Sequence, residues 1–290
     1  MMQFELLGLY AETSIHAGAG SSTGVIDLPI MREAHTGWPC IFGSAVKGAL
    51  RCKAEQGALD KDSIADVFGP DTNNASDHAG ALAVGDARLL LLPVRSLTSH
   101  FKWVTCPALL NRAADDARRM NKNVPAIKLP DQKNEIALHA ADSAPLYLEE
   151  FQFQAQKHDL GTLINWLAGF VNTDENFAER LQKQLVIVSD DMFAHLAQYA
   201  TPVNPHIAIN NQSKTVKSGA LWYEETLPPE TVLYIALAAS PARSQRREQV
   251  SAASVLGKAL QLFPLEAPYL QLGGNETVGM GWCRVSKVGA

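Results

Sequence analysis

The chain has 290 residues, of which 47% are hydrophobic and 19% charged, a composition typical of a soluble globular protein and not of a disordered one. Its net charge of −5 and isoelectric point of about 5.9 argue against general attraction to nucleic acid, so such binding needs a local basic patch. No apolar run approaches the ~18 residues that cross a bilayer, and the N-terminus lacks the basic start of a signal peptide, which predicts a cytoplasmic protein without membrane contact.

Strands and helices are predicted in alternation along the chain. The predicted strands, which are apolar or alternate in polarity, are 2–12, 81–94, 99–106, 146–155, 231–240 and two within 269–288, on either side of a glycine-rich turn. The predicted helices are 45–59, with Ser44 as its N-cap, 107–122, 160–184, 190–199 and 243–263. Because the order begins and ends β–α–β, the predicted fold class is α+β, a ferredoxin-like (RRM-like) sheet with helices on one side.

Two decorations interrupt this core. Residues 121–145, with three prolines and mixed charge, predict an exposed insertion. Residues 201–229 contain two short extended arms around a polar NNQSK turn, which predicts a β-hairpin.

The glycines of GAGSSTG, residues 18–24, raise the possibility of a nucleotide site. Gly18, Gly20 and Gly24 mimic a dinucleotide-binding fingerprint, which opens a helix directly after a strand. Here they lead instead to the apolar VIDLPI, and no lysine completes a Walker loop. The favoured interpretation is a loop rich in backbone N–H donors, suited to a polyanion backbone or another protein.

Asp27 is the candidate catalytic residue of this loop. It either stabilises a turn through nearby amides or directs a divalent metal ion or a 2′-hydroxyl toward a phosphodiester. His16 is a candidate general acid or base, although a lone histidine is more often structural. Glu224 and Glu225 of the WYEE stretch point to opposite faces of a strand, so at most one of them joins Asp27.

Three cations and a second glycine-rich segment are candidates for RNA binding. Lys47 and Arg51 share a helix face, preceded in the chain by Arg32, and this face is either an ordinary solvated surface or a grip on RNA phosphates. The turn LGGNETVGMGW carries four glycines between residues 273 and 281, which predicts close approach of another chain's backbone.

The spacing of the cysteines and of the remaining histidines predicts no metal site. The four cysteines lie far apart, which predicts reduced thiols and no structural zinc. The other histidines, His206 among them, have no metal-ligand spacing and are interpreted as structural.

Three stretches together resemble the RAMP superfamily: residues 18–51, the SGALWYEETLPP after the hairpin, and the terminal LGGNETVGMGW. More narrowly, they resemble the repeated backbone subunits of type III-B CRISPR complexes, the Cmr complexes. The similarity covers essentially the whole chain and is weakest over 95–145. It implies one RAMP domain over 1–290, in five parts: core with catalytic loop and basic helix, 1–94; variable helical and loop insertion, 95–145; strand and helices, 146–200; thumb hairpin, 201–223; last part of the core, 224–290.

The resemblance also implies an activity and its partners. Copies of the chain stack in a filament along guide CRISPR RNA, beside other Cmr subunits, and cut the bound single-stranded target RNA at regular intervals. The implied cleavage uses Mg²⁺ or Mn²⁺, held by Asp27 only when target RNA is bound, with His16, Glu224 and Glu225 as the implied assisting residues. The implied RNA-binding residues are Ser21, Ser22, Arg32, Lys47, Arg51, Lys214, Lys217, Gly273, Gly274, Asn275 and Gly279. One departure is the thumb arm, where Pro205, His206 and Ala208 stand in place of expected basic residues.

Two alternatives stay open. A non-catalytic scaffold would bind the guide with the same fold and leave cleavage to its partners. A guide-processing ribonuclease of the same superfamily would need a clearer acid–base pair and no thumb. Regularly spaced cuts in the target identify a backbone nuclease, whereas a single cut in a guide precursor identifies a processing enzyme.

Overall fold

A computed structural model of the chain describes residues 1–71, 77–131, 133–141, 145–172, 174–244 and 250–289. The strands are β1 (Gln3–Ala11), β2 (Cys40–Ile41), β3 (Leu82–Val84), β4 (Ala87–Arg95), β5 (Phe101–Thr105), β6 (Ile136–His139), β7 (Leu146–Leu148), β8 (Phe151–Lys157), β9 (Leu185–Ile187), β10 (Val203–Ile209), β11 (Val216–Glu225), β12 (Val232–Ala239), β13 (Tyr269–Gln271) and β14 (Trp282–Lys287). The α-helices are α1 (Gly43–Lys53), α2 (Lys61–Phe68), α3 (Pro107–Arg119), α4 (Gly161–Ala168), α5 (Phe177–Gln184), α6 (Asp190–Tyr199) and α7 (Ala252–Leu260). The predicted mixed α+β class is confirmed.

All of these strands except β10 and β11 belong to one sheet. Its order is β13-β14-β1-β12-β4-β5-β9-β6-β8-β7, with β2 on β4 and β3 on β12. The neighbours β14, β1, β12 and β4 are antiparallel, and α1 and α7 lie within the chain connections β1 to β4 and β12 to β14. These elements follow the β–α–β–β–α–β order that the term ferredoxin-like describes.

Helices cover both faces of this sheet, not one as the sequence predicts. On β1, Leu7 and Leu9 join a core cluster that includes residues of α1, α2, α6 and α7, whereas Leu6 and Tyr10 join a second cluster with residues of α3, α4 and α5. Successive side chains of a strand point to opposite faces, so the nearly continuous apolar run of β1 is buried on both sides.

Short strands account for the main differences from the predicted elements. Residues 146–155 form two antiparallel strands, β7 and β8, because Glu149 takes a positive φ of 50° and turns the chain. The insertion 121–145, predicted to be exposed, contains β6, whose Ala137 and Leu138 are buried between β9 and β8. Strand β9 was not predicted, since three apolar residues after a helix carry little periodic signal.

The start of α1 also differs from its prediction. The helix begins at Gly43, with Phe42 and not Ser44 at the N-cap, and Asp86 Oδ1 accepts the Gly43 N–H at 2.7 Å. A distant carboxylate therefore satisfies an N–H that a capping side chain would otherwise bind. Of the predicted helix 243–263, residues 245–249 lie outside the described residues, and α7 is the helix found. No helix in the described ranges is long and apolar enough to span a membrane, and all four cysteines are free.

Candidate active site

The glycine-rich loop after β1 folds as an irregular hairpin that reaches β11. Gly18 and Ile30 face each other in an antiparallel bridge, and Ser21 and Ser22 are exposed near its tip. The next helix starts only at Gly43, so these glycines do not open a helix as a dinucleotide site requires.

Asp27 lies where this loop meets β11. Its Oδ2 accepts a hydrogen bond from the Tyr223 backbone N–H at 2.8 Å. The Leu28 N–H donates to the Tyr223 carbonyl at 3.0 Å, and the Glu225 N–H donates to the Leu28 carbonyl at 3.0 Å. The position of the Asp27 carboxylate is therefore fixed by backbone bonds to β11, and no side chain among the described residues hydrogen-bonds to it.

Glu225 is held inside the protein by three donors. Arg32 Nη2 lies 2.5 Å and Thr201 Oγ1 2.6 Å from Glu225 Oε1, and the Ile30 N–H donates to Oε2 at 3.1 Å. Arg32 also donates to the backbone carbonyls of α6 and of the turn before β2, at Ala197 and Gly37. Arg32 and Glu225 therefore form an internal ion pair, and the RNA-binding and catalytic roles predicted for them stay predictions.

Glu224 points away from Glu225, as strand alternation requires, and contacts both the glycine-rich turn and the other thumb strand. Asn275 Nδ2 donates to Glu224 Oε1 at 2.7 Å, and His206 Nε2 lies 3.9 Å from the same oxygen. The His206 ring stacks on Trp222 with centroids 5.5 Å apart and planes 14° apart. Sequence reasoning missed His206 and Trp222, because only the register of β10 on β11 places them opposite each other.

His16 and the glycine-rich turn pack together beneath the loop. His16 is buried, its Nδ1 lies 2.8 Å from the Glu225 carbonyl, and its own carbonyl accepts the Gly274 N–H at 2.8 Å. A Cβ on Gly273, where φ is 86°, would lie 2.3 Å from the His16 carbonyl oxygen. An internal close approach therefore explains this glycine without another chain, whereas Gly279 has a φ of 84° and open space around it.

A groove of about 410 Å³ separates α1 from the glycine-rich turn. It is lined almost entirely by small or flexible side chains: Ala17, Gly18, Met31, Ala45, Gly48, Ala49, Cys52, Gln271, Gly273 and Gly274. The α1 positions 45, 48, 49 and 52 share one helix face, since residues three and four apart are neighbours on a helix. Few large side chains therefore project into the groove, and a ligand in it could approach the backbone of both walls.

The predicted cationic face of α1 is turned away from this groove. Lys47 Nζ donates to the Leu82 carbonyl at 3.0 Å, and Arg51 donates to the carbonyls of Gly69 and Pro70, each at 3.0 Å. Burial lowers the pKa of the Lys47 ammonium, and the nearby positive charges of Arg243 and Arg51 lower that pKa further. The structure therefore does not bring Lys47 and Arg51 together with the glycine-rich turn, although it gathers positive charge beside α1.

The predicted hairpin is present as the separate two-stranded sheet of β10 and β11. Lys214 takes a positive φ of 57° in its turn, and Lys214 and Lys217 are both exposed. Large apolar side chains of the hairpin are also exposed: Val203, Ile207, Ile209, Val216, Leu221 and Tyr223. The hairpin therefore offers both positive charge and apolar surface.

The candidate metal ligand is a single carboxylate. Among the described residues, no group of three or more Cys, His, Asp or Glu side chains is placed to hold a metal ion. Asp27 alone fits a cation that takes most of its ligands elsewhere, as Mg²⁺ does when one or two carboxylates and the substrate's phosphates bind it.

Comparison with known proteins connects these features to one family. The family model described as RAMP superfamily matches residues 9–284. The CRISPR system Cmr endoribonuclease Cmr4 of Pyrococcus furiosus is 36% identical over 290 residues, which cover 98% of this chain and 96% of the relative. The crystal structure of oligomeric Cmr4 from Pyrococcus furiosus superposes with a TM-score of 0.76 at 29% identity, covering 100% of this chain and 99% of that one. A chain in the type III-B Cmr-beta complex bound to cognate target RNA, at 21% identity, shares the fold with a TM-score of 0.74 over 98% of this chain and 96% of its own length.

Proposed function

Because the chain belongs to the RAMP superfamily, we propose that it is a backbone subunit of a type III-B CRISPR complex, which binds guide RNA and cleaves the bound target RNA at regular intervals. The observation that carries this function is the position of Asp27, a loop carboxylate fixed by the backbone of the thumb strand β11. The 36% identical relative is named an endoribonuclease, which supports cleavage of RNA. Further copies of the chain and other Cmr subunits are the proposed protein partners.

RNA carries its own nucleophile, the 2′-hydroxyl. Cleavage therefore requires that the 2′-oxygen, the phosphorus and the leaving 5′-oxygen fall in line. The thumb hairpin, which has its own sheet, is the element that would displace a target nucleotide into this geometry. Asp27 would hold Mg²⁺ or Mn²⁺ jointly with target phosphates or orient the 2′-hydroxyl, and the ion would supply stabilisation of charge on the phosphoryl oxygens.

The guide backbone is proposed to lie along the groove between α1 and the glycine-rich turn. Small side chains allow a sugar–phosphate chain to approach the protein backbone closely, and the N–H groups of a glycine-rich turn favour anions. Lys47 and Arg51 lie on the other face of α1, so their positive charges would add a longer-range, sequence-independent attraction to phosphates. The negative net charge of the chain is compatible with this arrangement, because weak contacts from many subunits bound to one RNA act together.

We expect Gly48→Glu to weaken guide RNA binding about tenfold, which corresponds to roughly 1.4 kcal/mol. Gly48 lies on the groove face of α1 with open space around its Cβ position, so the variant folds and places a carboxylate against the phosphates. Gly48→Ala is the matched control and should bind normally. The opposite result would place the guide on the cationic face of α1. In that case Gly48→Glu binds normally, whereas Lys47→Met weakens binding and lowers the slope of log K against log salt concentration by ~0.7.

The proposed activity is tested with the assembled complex, a guide and a labelled complementary target RNA. We expect products separated by a constant number of nucleotides, lost when EDTA removes divalent metal ions and lost at one position when that nucleotide is 2′-deoxy. Cuts that continue in EDTA would contradict the metal requirement. A target that stays intact while bound would make the chain a guide-holding scaffold.

A further inference from the structure

We infer that His206 is the general acid of the proposed cleavage, the group that gives a proton to the leaving 5′-oxygen. The inference rests on the proposed function and assigns a role to a thumb residue that the loop chemistry leaves unused. It starts from the side-chain cluster of His206, Trp222 and Glu224 on β10 and β11.

The His206 ring is held in one orientation from two sides. Trp222 covers one ring face in a near-parallel stack, and the carboxylate of Glu224, whose side chain is only 5% exposed, lies 3.9 Å from Nε2. Nε2 itself is buried and has no hydrogen-bond partner among the described residues. A distance of 3.9 Å is too long for a hydrogen bond but short enough for an ion pair once the ring is protonated.

The remainder of the ring is open to a ligand. One third of the His206 side chain is exposed although Nε2 is buried, and Nδ1 makes no hydrogen bond with the described residues. A buried carboxylate behind one nitrogen and an accessible second nitrogen form the arrangement by which a histidine moves a proton at a defined atom.

The position of His206 relative to Asp27 follows from the strand register. His206 pairs with Trp222 across one edge of β11, whereas Asp27 bonds to Tyr223 on the other edge. Only β11 lies between the two edges, so we place the ribose–phosphate unit across this strand at Trp222 and Tyr223, with Asp27 at one edge and His206 at the other. In this placement Asp27 would face the attacking 2′-hydroxyl and His206 the leaving 5′-oxygen.

The step balances without a further reactant. The 2′-oxygen forms a bond to phosphorus and loses its proton to water, while the bond from phosphorus to the 5′-oxygen breaks and its electron pair stays on that oxygen. The imidazolium Nδ1–H of His206 protonates this oxygen, giving a 2′,3′-cyclic phosphate and a 5′-hydroxyl. The neutral imidazole recovers its proton from water, and Glu224 stabilises the charged ring.

The test compares two target RNAs in single-turnover cleavage, one normal and one with sulfur in place of the 5′-bridging oxygen at a cut position. Sulfur leaves without a proton, so a missing general acid matters only for the normal target. We expect His206→Ala to slow cleavage of the normal target by about 100-fold or more and the sulfur-bridged target by less than about threefold. Binding of the target should stay unchanged. A merely structural role of His206 in the thumb would not produce both unchanged binding and rescue by sulfur.

Three comparisons make the outcome decisive. His35→Ala is the matched control, because His35 lies 4.0 Å from the Glu33 carboxylate but is 80% exposed outside the hairpin, and it should cleave both targets normally. Glu224→Gln should reduce cleavage of the normal target and show the same sulfur rescue. Equal losses on both targets in His206→Ala, or no loss, would overturn the general-acid role. Asp27→Asn should cleave neither target. If it cleaves both normally, the proposed function itself fails, and this failure is distinguishable from a wrong role for His206.

Discussion

Asp27→Asn should abolish cleavage of the target RNA by the assembled complex while guide and target still bind. The substitution keeps the size of the side chain, and its amide oxygen can still accept the Tyr223 N–H that holds Asp27 at 2.8 Å. It removes the negative charge that would attract a divalent cation or orient the 2′-hydroxyl. We expect a loss of about 10³-fold or more, which corresponds to roughly 4 kcal/mol of transition-state stabilisation.

The measurement is single-turnover cleavage of a labelled target by complexes that differ only in this subunit. Asp115→Asn is a suitable control, because Asp115 is an exposed carboxylate of α3 whose one ion-pair partner among the described residues is Arg118 of the same helix. Full binding together with lost cleavage would separate chemistry from assembly. Cleavage that persists in Asp27→Asn would make the chain a scaffold and the Gly18 loop a guide-holding element.

The sequence predicts elements with a strong local signal better than short strands that depend on distant neighbours. β1, α3 and the thumb hairpin carry clear periodic or turn signals, and each is present close to its predicted position. β6 and β9 are short strands, held in the sheet by neighbours distant in the chain. Their pairing comes from tertiary packing, and local propensity carries little information about it.

The candidate site likewise has features that local sequence predicts and features that depend on distant residues. The loop position of Asp27 is readable from the sequence, because the glycine-rich GAGSSTG precedes it and Pro29 follows it closely. The roles of Glu224 and Glu225 are not, since alternation shows only that they point apart, and partners as distant as Asn275 and Arg32 decide what each carboxylate does. The stacking of His206 on Trp222 depends on hairpin register, which the polar NNQSK turn does not fix.

Glu225→Gln should cause the largest loss of stability among substitutions at the site. The Glu225 side chain is 3% exposed and its partner Arg32 is 17% exposed, so the variant leaves a largely buried guanidinium without its counter-charge. Removal of one partner of a buried ion pair costs about 3–5 kcal/mol. For a chain of this size, the midpoint of thermal unfolding should fall by roughly 6–20 °C.

The reason for so large an effect lies in what the ion pair connects. Arg32 belongs to the segment that follows the Asp27 loop, and Glu225 belongs to the thumb strand. Thr201, between α6 and β10, donates to the same carboxylate oxygen as Arg32. An amide at position 225 would present an NH₂ group to donors that already need an acceptor, which leaves at least one buried donor unsatisfied.

A thermal unfolding series on the isolated chain tests this role and separates the two neighbouring glutamates. Arg32→Met combined with Glu225→Gln should recover part of the stability that Glu225→Gln loses, since it removes the guanidinium that has lost its counter-charge while the amide oxygen can still accept from Thr201. Glu224→Gln should unfold within a few degrees of the native chain, because a glutamine can still accept from Asn275, yet it should slow cleavage through His206. If Glu225→Gln instead keeps its unfolding temperature and loses cleavage, Glu225 takes part in the chemistry, and the buried ion pair is not what holds the loop to the thumb.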